Sequence, residues 1–427
     1  MLSLLIACLS APEDSAEDAQ TTYVNPPETE YPLDLGCTSK TDPVLALHGF
    51  IASGDTYINF ERFFVEHGLC PSHFIALDWN TFSEDREDSY ALMNRAIDEL
   101  KIRSGASQIT LIGHSAGGGL ALDFLNISEH QGSVGHYIHI GSFPQASPAS
   151  IPMLNIYSQS DLTVTEATAI EEDHVSNIDL IVQDHYEIAT SSEAFDAIKT
   201  FLSLTFSEDN KDLLLHFWGK GIYFGENMPI ADGSLSIYEL SNGVRTSEEA
   251  LVIAQSNSFG LFGPLPLKTN THYEFCLTSD EGPQVCHYLM QQATTTQFLR
   301  FRGLPEEGFA STLLSAVPLD ADETMTMVSY SQSKAMIFER DSLIIESEEV
   351  ITESRASADQ TLIALFHYDN NEDLMADEDP ALFEFFPFLN AMDQPLLSSG
   401  PPVEISFNGK NLWVPRSQDS VQIAVLE

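Results

Sequence analysis

The pentapeptide Gly113-His114-Ser115-Ala116-Gly117 restricts the possible folds more than any other stretch of the chain. It follows the apolar run Ile109-Thr110-Leu111-Ile112 and leads into Gly118-Gly119-Leu120-Ala121-Leu122-Asp123-Phe124-Leu125, which reads as a helix laid on a sheet. A strand that turns sharply into a helix strains its apex residue, and glycines are needed where side chains would meet neighbouring strands. Ser115 is that apex, and its hydroxyl is expected to stand at the helix N-terminus, where backbone N–H groups meet developing negative charge. Gly113, His114 and Gly117 complete the elbow. A serine held this way needs a base and an acid from elsewhere in the chain.

Upstream, Pro43-Val44-Leu45-Ala46-Leu47 is a buried-strand run that ends in His48-Gly49-Phe50. A strand ending this way before an elbow is expected to supply a second oxyanion donor, so the N–H of Phe50 should join that of Ala116. His48 itself reads as structural. Phe74-Ile75-Ala76-Leu77 is the next strand, and Tyr90 to Arg103 carries Leu92, Ala96, Ile97 and Leu100 at helical spacing. Strand, helix, strand, elbow, helix implies a parallel sheet.

Downstream, Tyr137-Ile138-His139-Ile140 and Met153-Leu154-Asn155-Ile156-Tyr157 are two more strands. The second runs into Ser158-Gln159-Ser160-Asp161, which sets a carboxylate just past a strand's C-terminal end, where open α/β sheets form their sites. Ile178 to Val182 is read as the last strand, followed by Gln183-Asp184-His185-Tyr186 and a helix around Phe195 to Leu204. The order Ser115, Asp161, His185 assigns nucleophile, acid and base: His185 takes the serine proton, and Asp161 fixes its tautomer. Asp184 adjoins His185 and is expected to point away from it.

The chain has 64 acidic against 18 basic residues, a net charge of −46. That argues against nucleic acid or an anionic membrane surface as partner and suits neutral substrates. Met1 to Ser10 reads MLSLLIACLS, an apolar run ending at a cysteine, which resembles the lipobox of bacterial lipoproteins. Residues 1–8 are therefore expected to be a signal with Cys8 lipidated, giving an exported protein anchored at the cell envelope, or otherwise secreted. Residues 9–36 read as a disordered acidic tether. The other four cysteines form an even set, which in an exported protein suggests disulfides. Cys276 and Cys286 flank a turn and face each other if it closes a hairpin, leaving Cys37 for Cys70; the other pairings and free thiols stay open.

From about Ser207 the periodicity changes to short alternating runs separated by Asn-Gly, Asp-Gly and Gly-Pro turns. The expected division is an α/β catalytic domain over 37–206, a β-sandwich-like domain over 207–310 and a second β-rich domain over 311–427. A chain ending near Ser207 is expected to keep all three site residues working. Asp369, Asn371 and Asp373 have the alternating oxygens of a calcium loop, but Leu374 stands where the loop's glycine belongs, so a solvated acidic turn is the better reading. No cofactor is required, and calcium is the one candidate.

The His-Gly turn, the GHSAG elbow, the YSQSD acid loop and the DH base loop together resemble the lipases of the α/β-hydrolase superfamily. The tail runs around Gly233 to Tyr238 and Tyr273 to Phe275, with the acidic loop after Tyr368, resemble the C-terminal β domain of the Archaeoglobus-type lipases. Asp161 matches the acid position of small Bacillus-type lipases. The resemblance implies a mostly parallel sheet with helices on both faces, an all-β tail, and a serine ester hydrolase working on neutral lipid or other carboxylic esters through an acyl-enzyme. Polyester depolymerase, acyltransferase and amidase use the same triad, and a non-catalytic, surface-anchored lipid-binding protein is the reading from another class. The long lid of the Archaeoglobus-type lipases has no counterpart between Asp78 and Ser89, so a closing lid is not expected.

Overall fold

The structure, a computed structural model, describes residues 21–427 except 34–35, 208–216, 291–297, 316, 320–322, 378, 381–382, 384–385 and 387. Cys8, and with it the expected lipid anchor, lies outside the described residues.

Thr22–Val24 forms strand β1. The first half of the chain then runs β2 (Val44–Leu47), α1 (Ile58–Glu66), β3 (Phe74–Leu77), α2 (Arg86–Ser104), β4 (Ile109–His114), α3 (Ala116–Asn126), β5 (Val134–Ile140), β6 (Met153–Tyr157), β7 (Val175–Asp179) and α4 (Ser192–Phe201). Strands β3-β2-β4-β5-β6-β7 pair in that order, all in parallel. Both faces of the sheet are covered, so its central strands are mostly apolar, and alternate residues enter different cores. Leu45, Leu47, Leu111 and Tyr137 pack with α2 and α3, while Val44, Ala46, Ile112 and Ile138 pack with α1 and α4.

The sequence supplies the ends of these elements. Asp85 caps α2 by accepting the Glu87 N–H, and Gly105 ends it at φ +70°. Ser191 caps α4 through the Ala194 N–H. The last parallel strand starts earlier than expected: β7 is Val175–Asp179, and Leu180 to Val182 form the loop after it. Ile181 takes φ +58° there, held by Ser160 Oγ on its carbonyl and Asp179 Oδ1 on its N–H. No helix among the described residues is long and apolar enough to cross a membrane.

The rest is β-rich and differs from the expected division in two ways. Strand β1 lies within the expected tether, yet it pairs in parallel with Val252–Gln255. Its run Thr21-Thr22-Tyr23-Val24 is β-branched and aromatic, which offsets the acidic composition around it. The boundary at 310 also falls inside one sheet. The final strand, Ser420–Leu426, lies between Gln284–Leu289 and Met327–Ser331 and pairs in parallel with both, so the two expected domains share a ten-stranded sheet.

Three strands, with β8 (Phe217–Tyr223) at their centre between Leu261–Leu265 and Phe298–Gly303, cover one face of the long sheet. A four-stranded sheet covers the other. Phe275 and Leu277 enter the first core while Cys276, between them, enters the second. Cys276 pairs across the strands with Cys286, and Cys37 is joined to Cys70.

Candidate active site

Ser115 sits between β4 and α3 at φ +53°, ψ −121°, a conformation a residue with a side chain occupies only when its surroundings force it. The flanking glycines show what forces it. A Cβ on Gly117 would lie 2.3 Å from the Leu47 carbonyl oxygen, and one on Gly113 would lie 2.6 Å from that of Gly117. The turn closes only with hydrogen in both places. Ser115 N–H donates to the Ile140 carbonyl (2.9 Å), and its own carbonyl accepts from Ser142 Oγ (2.8 Å), which ties the apex to the end of β5.

The structure brings His185 and Asp161 together. His185 Nδ1 donates to Asp161 Oδ2 at 2.7 Å, with both side chains buried. Asp161 Oδ1 accepts the N–H groups of Thr163 and Val164, each at 2.9 Å. Burial pushes the Asp161 carboxyl upward, but the hydrogen bond and charge of His185, with the amides of Val164 and Thr163, hold it below its ordinary value. The other imidazole nitrogen, His185 Nε2, is buried and has no hydrogen-bond partner among the described residues. His114 Nε2 donates to the His185 carbonyl at 2.8 Å, and burial, with His185 next to it, pushes the His114 imidazole down to about 3. His114 is thus a neutral strut under the base loop. Asp184 is turned away from His185, with its carboxylate on the Tyr186, Glu187 and Ala335 amides and on Arg340.

Ala116 opens α3, so its N–H has no intrahelical acceptor. Phe50 lies in the turn after β2, where Ile51 stands at φ +59° and its N–H donates to Thr81 Oγ1. Gly49 brings this turn against the elbow, since a Cβ there would lie 3.1 Å from that of Ser115. His48 is structural: Nδ1 donates to the Gly49 carbonyl, while Nε2 accepts from the Trp79 N–H and from Asn227 Nδ2. Burial brings its imidazole down to about 4.

Asn227 was not legible as a site residue. From the β-rich half it also donates to the Ala52 and Trp79 carbonyls, so it fastens the Phe50 turn. Phe388 escaped the sequence reading too, and its ring stacks on His185 at 6.1 Å between centroids. Neither residue stands near a motif that would have marked it.

A pocket opens beside Phe50 and Tyr186, with Leu304, Val328, Phe366 and Phe388 among its walls. Its lining is almost entirely apolar and comes largely from the β-rich half. Another pocket lies along β3, and its walls hold none of the residues around Ser115. The calcium candidates have their oxygens turned inward. Asp369 accepts the Asp373 and Leu374 amides, Asn371 Oδ1 accepts the Asp373 amide, and Asp373 Oδ1 accepts the Met375 amide. Among the described residues, the group whose ligand atoms converge is Glu274, Cys276 and Cys286, and its two sulfurs are joined to each other.

The α/β hydrolase fold family model matches residues 42–236, and the lipase C-terminal domain model matches residues 214–303. Three solved structures share similarity with part of this chain. An esterase from Rhodococcus sp. ECU1013 is 12% identical, with a TM-score of 0.30 over 39% of this chain and 92% of its own. Lipase B of Aspergillus fumigatus is 16% identical, with a TM-score of 0.32 over 40% and 54% of the two chains. A carboxylesterase of the thaumarchaeon Nitrososphaera gargenis is 13% identical, with a TM-score of 0.31 over 38% and 90%. No curated protein matches the chain. The first half of this protein therefore has the α/β hydrolase fold, followed by a β-rich region whose opening part matches the lipase C-terminal domain.

Proposed function

We propose that this protein is a serine ester hydrolase of the lipase type, cleaving neutral lipid or other apolar carboxylic esters. The observation that carries the reading is a strained serine at the elbow together with a buried His185–Asp161 couple whose outer nitrogen, Nε2, has no hydrogen-bond partner among the described residues. Ser115 Oγ attacks the ester carbonyl carbon and passes its proton to His185 Nε2, while the N–H groups of Phe50 and Ala116 hold the oxyanion. The imidazolium gives that proton to the departing alkoxide, which leaves as the alcohol. Water then attacks the acyl-serine, with His185 taking its proton and returning it to Ser115 Oγ as that bond breaks, and the carboxylic acid is released.

Three features favour apolar, uncharged substrates. The cavity beside Phe50 is lined for an acyl chain. Phe143, Leu162, Ile181 and Val182 lie in the loops after β5, β6 and β7, at the strand ends that also hold the site, and all four are exposed, Val182 to 70%. The net charge of −46 repels anionic substrates and surfaces. Two disulfides suit an oxidising compartment, in keeping with export and with a lipid anchor at Cys8.

Hydrolysis of p-nitrophenyl esters from short to long acyl chains, with Ser115→Ala beside the wild type, tests the proposal. Activity that vanishes in the variant supports it. A folded wild type inactive on every ester contradicts it.

A further inference from the structure

The segment from 311 to 427 lies beyond both family-model matches, yet it touches the two loops that carry Asp161 and His185 at four places. Arg340 Nη1 pairs with Asp184 Oδ2 at 2.8 Å, immediately before His185, and the same Oδ2 accepts the Ala335 N–H at 3.2 Å. Thr361 Oγ1 meets Thr163 Oγ1, two residues after Asp161, at 2.5 Å. Thr190 Oγ1 donates to the Ser333 carbonyl, and the Phe388 ring stacks on the His185 ring.

Asp184 is the junction of these contacts. Its Oδ1 accepts the Tyr186 and Glu187 N–H groups, each at 2.8 Å, which sets the turn that begins at His185. Its Oδ2 faces outward to the β-rich segment. A buried carboxylate this engaged keeps its orientation only while the cation opposite keeps its own. Arg340 is fixed in turn by Nε on Asp341 Oδ2 at 2.8 Å and by Nη2 on the Ala335 carbonyl. The chain of contacts runs from the C-terminal β segment through Arg340 and Asp184 to the backbone of His185.

We propose that Arg340 is a positioning residue for His185, so that the C-terminal β segment is a working part of the active site rather than a separate module. This rests on the serine-hydrolase reading. It assigns the segment a role in the chemical step, because Arg340 reaches the His185 turn through Asp184 at 2.8 Å and Glu187 at 3.5 Å.

Two measurements on the full chain test it. The first is the second-order rate and final stoichiometry with which an alkyl fluorophosphonate labels Ser115. Misplacing a base by about 1 Å costs up to about 100-fold in rate. Arg340→Met is therefore expected to slow labelling by about 10- to 100-fold while reaching full stoichiometry, and to lower kcat on a short ester with KM little changed. A loss of folded protein would instead reduce stoichiometry and leave the rate constant alone. Arg340→Lys, which restores the charge without the fork, is expected to recover part of the rate. Asp184→Asn keeps an oxygen for the two amides, removes the charge facing Arg340, and is expected to be non-additive with Arg340→Met.

The second measurement does not depend on activity: amide hydrogen exchange of the segment from Gln183 to Thr190, expected to quicken at least tenfold in Arg340→Met. Unchanged exchange there overturns the proposal, as does wild-type labelling by Arg340→Met. A wild type that takes no label at Ser115 contradicts the hydrolase reading instead, and the exchange result then decides the clamp alone.

Discussion

Replacing Asp161 by asparagine exchanges one carboxylate oxygen for an NH₂ and changes almost no volume, and the structure dictates which way the new amide must point. Oδ1 already accepts the Thr163 and Val164 N–H groups, so the amide's carbonyl oxygen stays there and its NH₂ falls where Oδ2 met His185 Nδ1 at 2.7 Å. Two donors cannot face each other at that distance. His185 must then turn Nδ1 into an acceptor and carry its proton on Nε2, the atom that has to receive the serine proton. Restoring the useful tautomer costs about 2–3 kcal/mol for the opposed donors, and the imidazolium loses a charge-assisted hydrogen bond of about 1.5–3 kcal/mol. Together these amount to about three to four orders of magnitude in kcat at about 1.4 kcal/mol per tenfold. Asp161 lies behind His185 on the side away from the serine, so KM should hold. The assay is p-nitrophenyl butyrate hydrolysis at about pH 8, above the ordinary histidine range, with near-ultraviolet circular dichroism to establish that the variant is folded. A folded Asp161→Asn protein with kcat within tenfold of wild type refutes the reasoning, because Asp184 faces Arg340 and Asp179 is occupied by the Ile181 amide.

Arg302→Met strands the buried Asp55 carboxylate, which accepts from Arg302 at 2.7 Å, and should cost about 3–5 kcal/mol in urea unfolding; a loss under about 1 kcal/mol would mean that water reaches the pair. Ala364→Trp extends into the cavity beside Phe50 and should lower kcat/KM on long-chain esters at least tenfold while sparing butyrate; equal losses on both would argue against an acyl site there. Burial pushes the imidazoles of His48 and His139 down to about 4 and those of His114, His287 and His367 to about 3. Between those values and the unfolded value of 6.5 the unfolded chain binds more protons, so stability falls as pH drops below 6.5, by up to about 1.4 kcal/mol per pH unit for each histidine. Asp55, Asp78 and Asp161, buried but held below the usual carboxylate range by their partners, add a loss that sets in only below about pH 4. Glu61, pushed up by burial to about 7, and Glu187 and Glu427, also raised by burial, oppose part of this slope, so Tm should decline between about pH 6.5 and 5 less steeply than the five histidines alone would give, and a Tm that rises across that interval would contradict the burial of these rings.

The elbow was legible because its backbone admits few residues: Gly113 and Gly117 stand where any Cβ would strike a carbonyl, and that requirement is written locally. Asp161 and His185 were placed in sequence because each lies in a polar loop after an apolar run. The β-rich half was harder for a physical reason. Its strands pair far along the chain, so Ser420–Leu426 joins the two sides of the division expected at 310. Arg300, Arg302 and Arg340 look like ordinary basic residues in the sequence, yet they meet Asp78, Asp55 and Asp184 across the two halves. Such pairings leave no local pattern. They also revise the expectation for a chain ending near Ser207, which lacks Arg340 and Thr361 and should lose activity even on short esters.

The central claim is that Ser115 is a nucleophile activated by His185. Intact-mass and peptide mass spectrometry after treatment with an alkyl fluorophosphonate tests it most directly. One phosphonate adduct, on Ser115, is expected in the wild type and is suppressed in His185→Ala. A folded wild type that takes no adduct, or takes it on another residue, would contradict it.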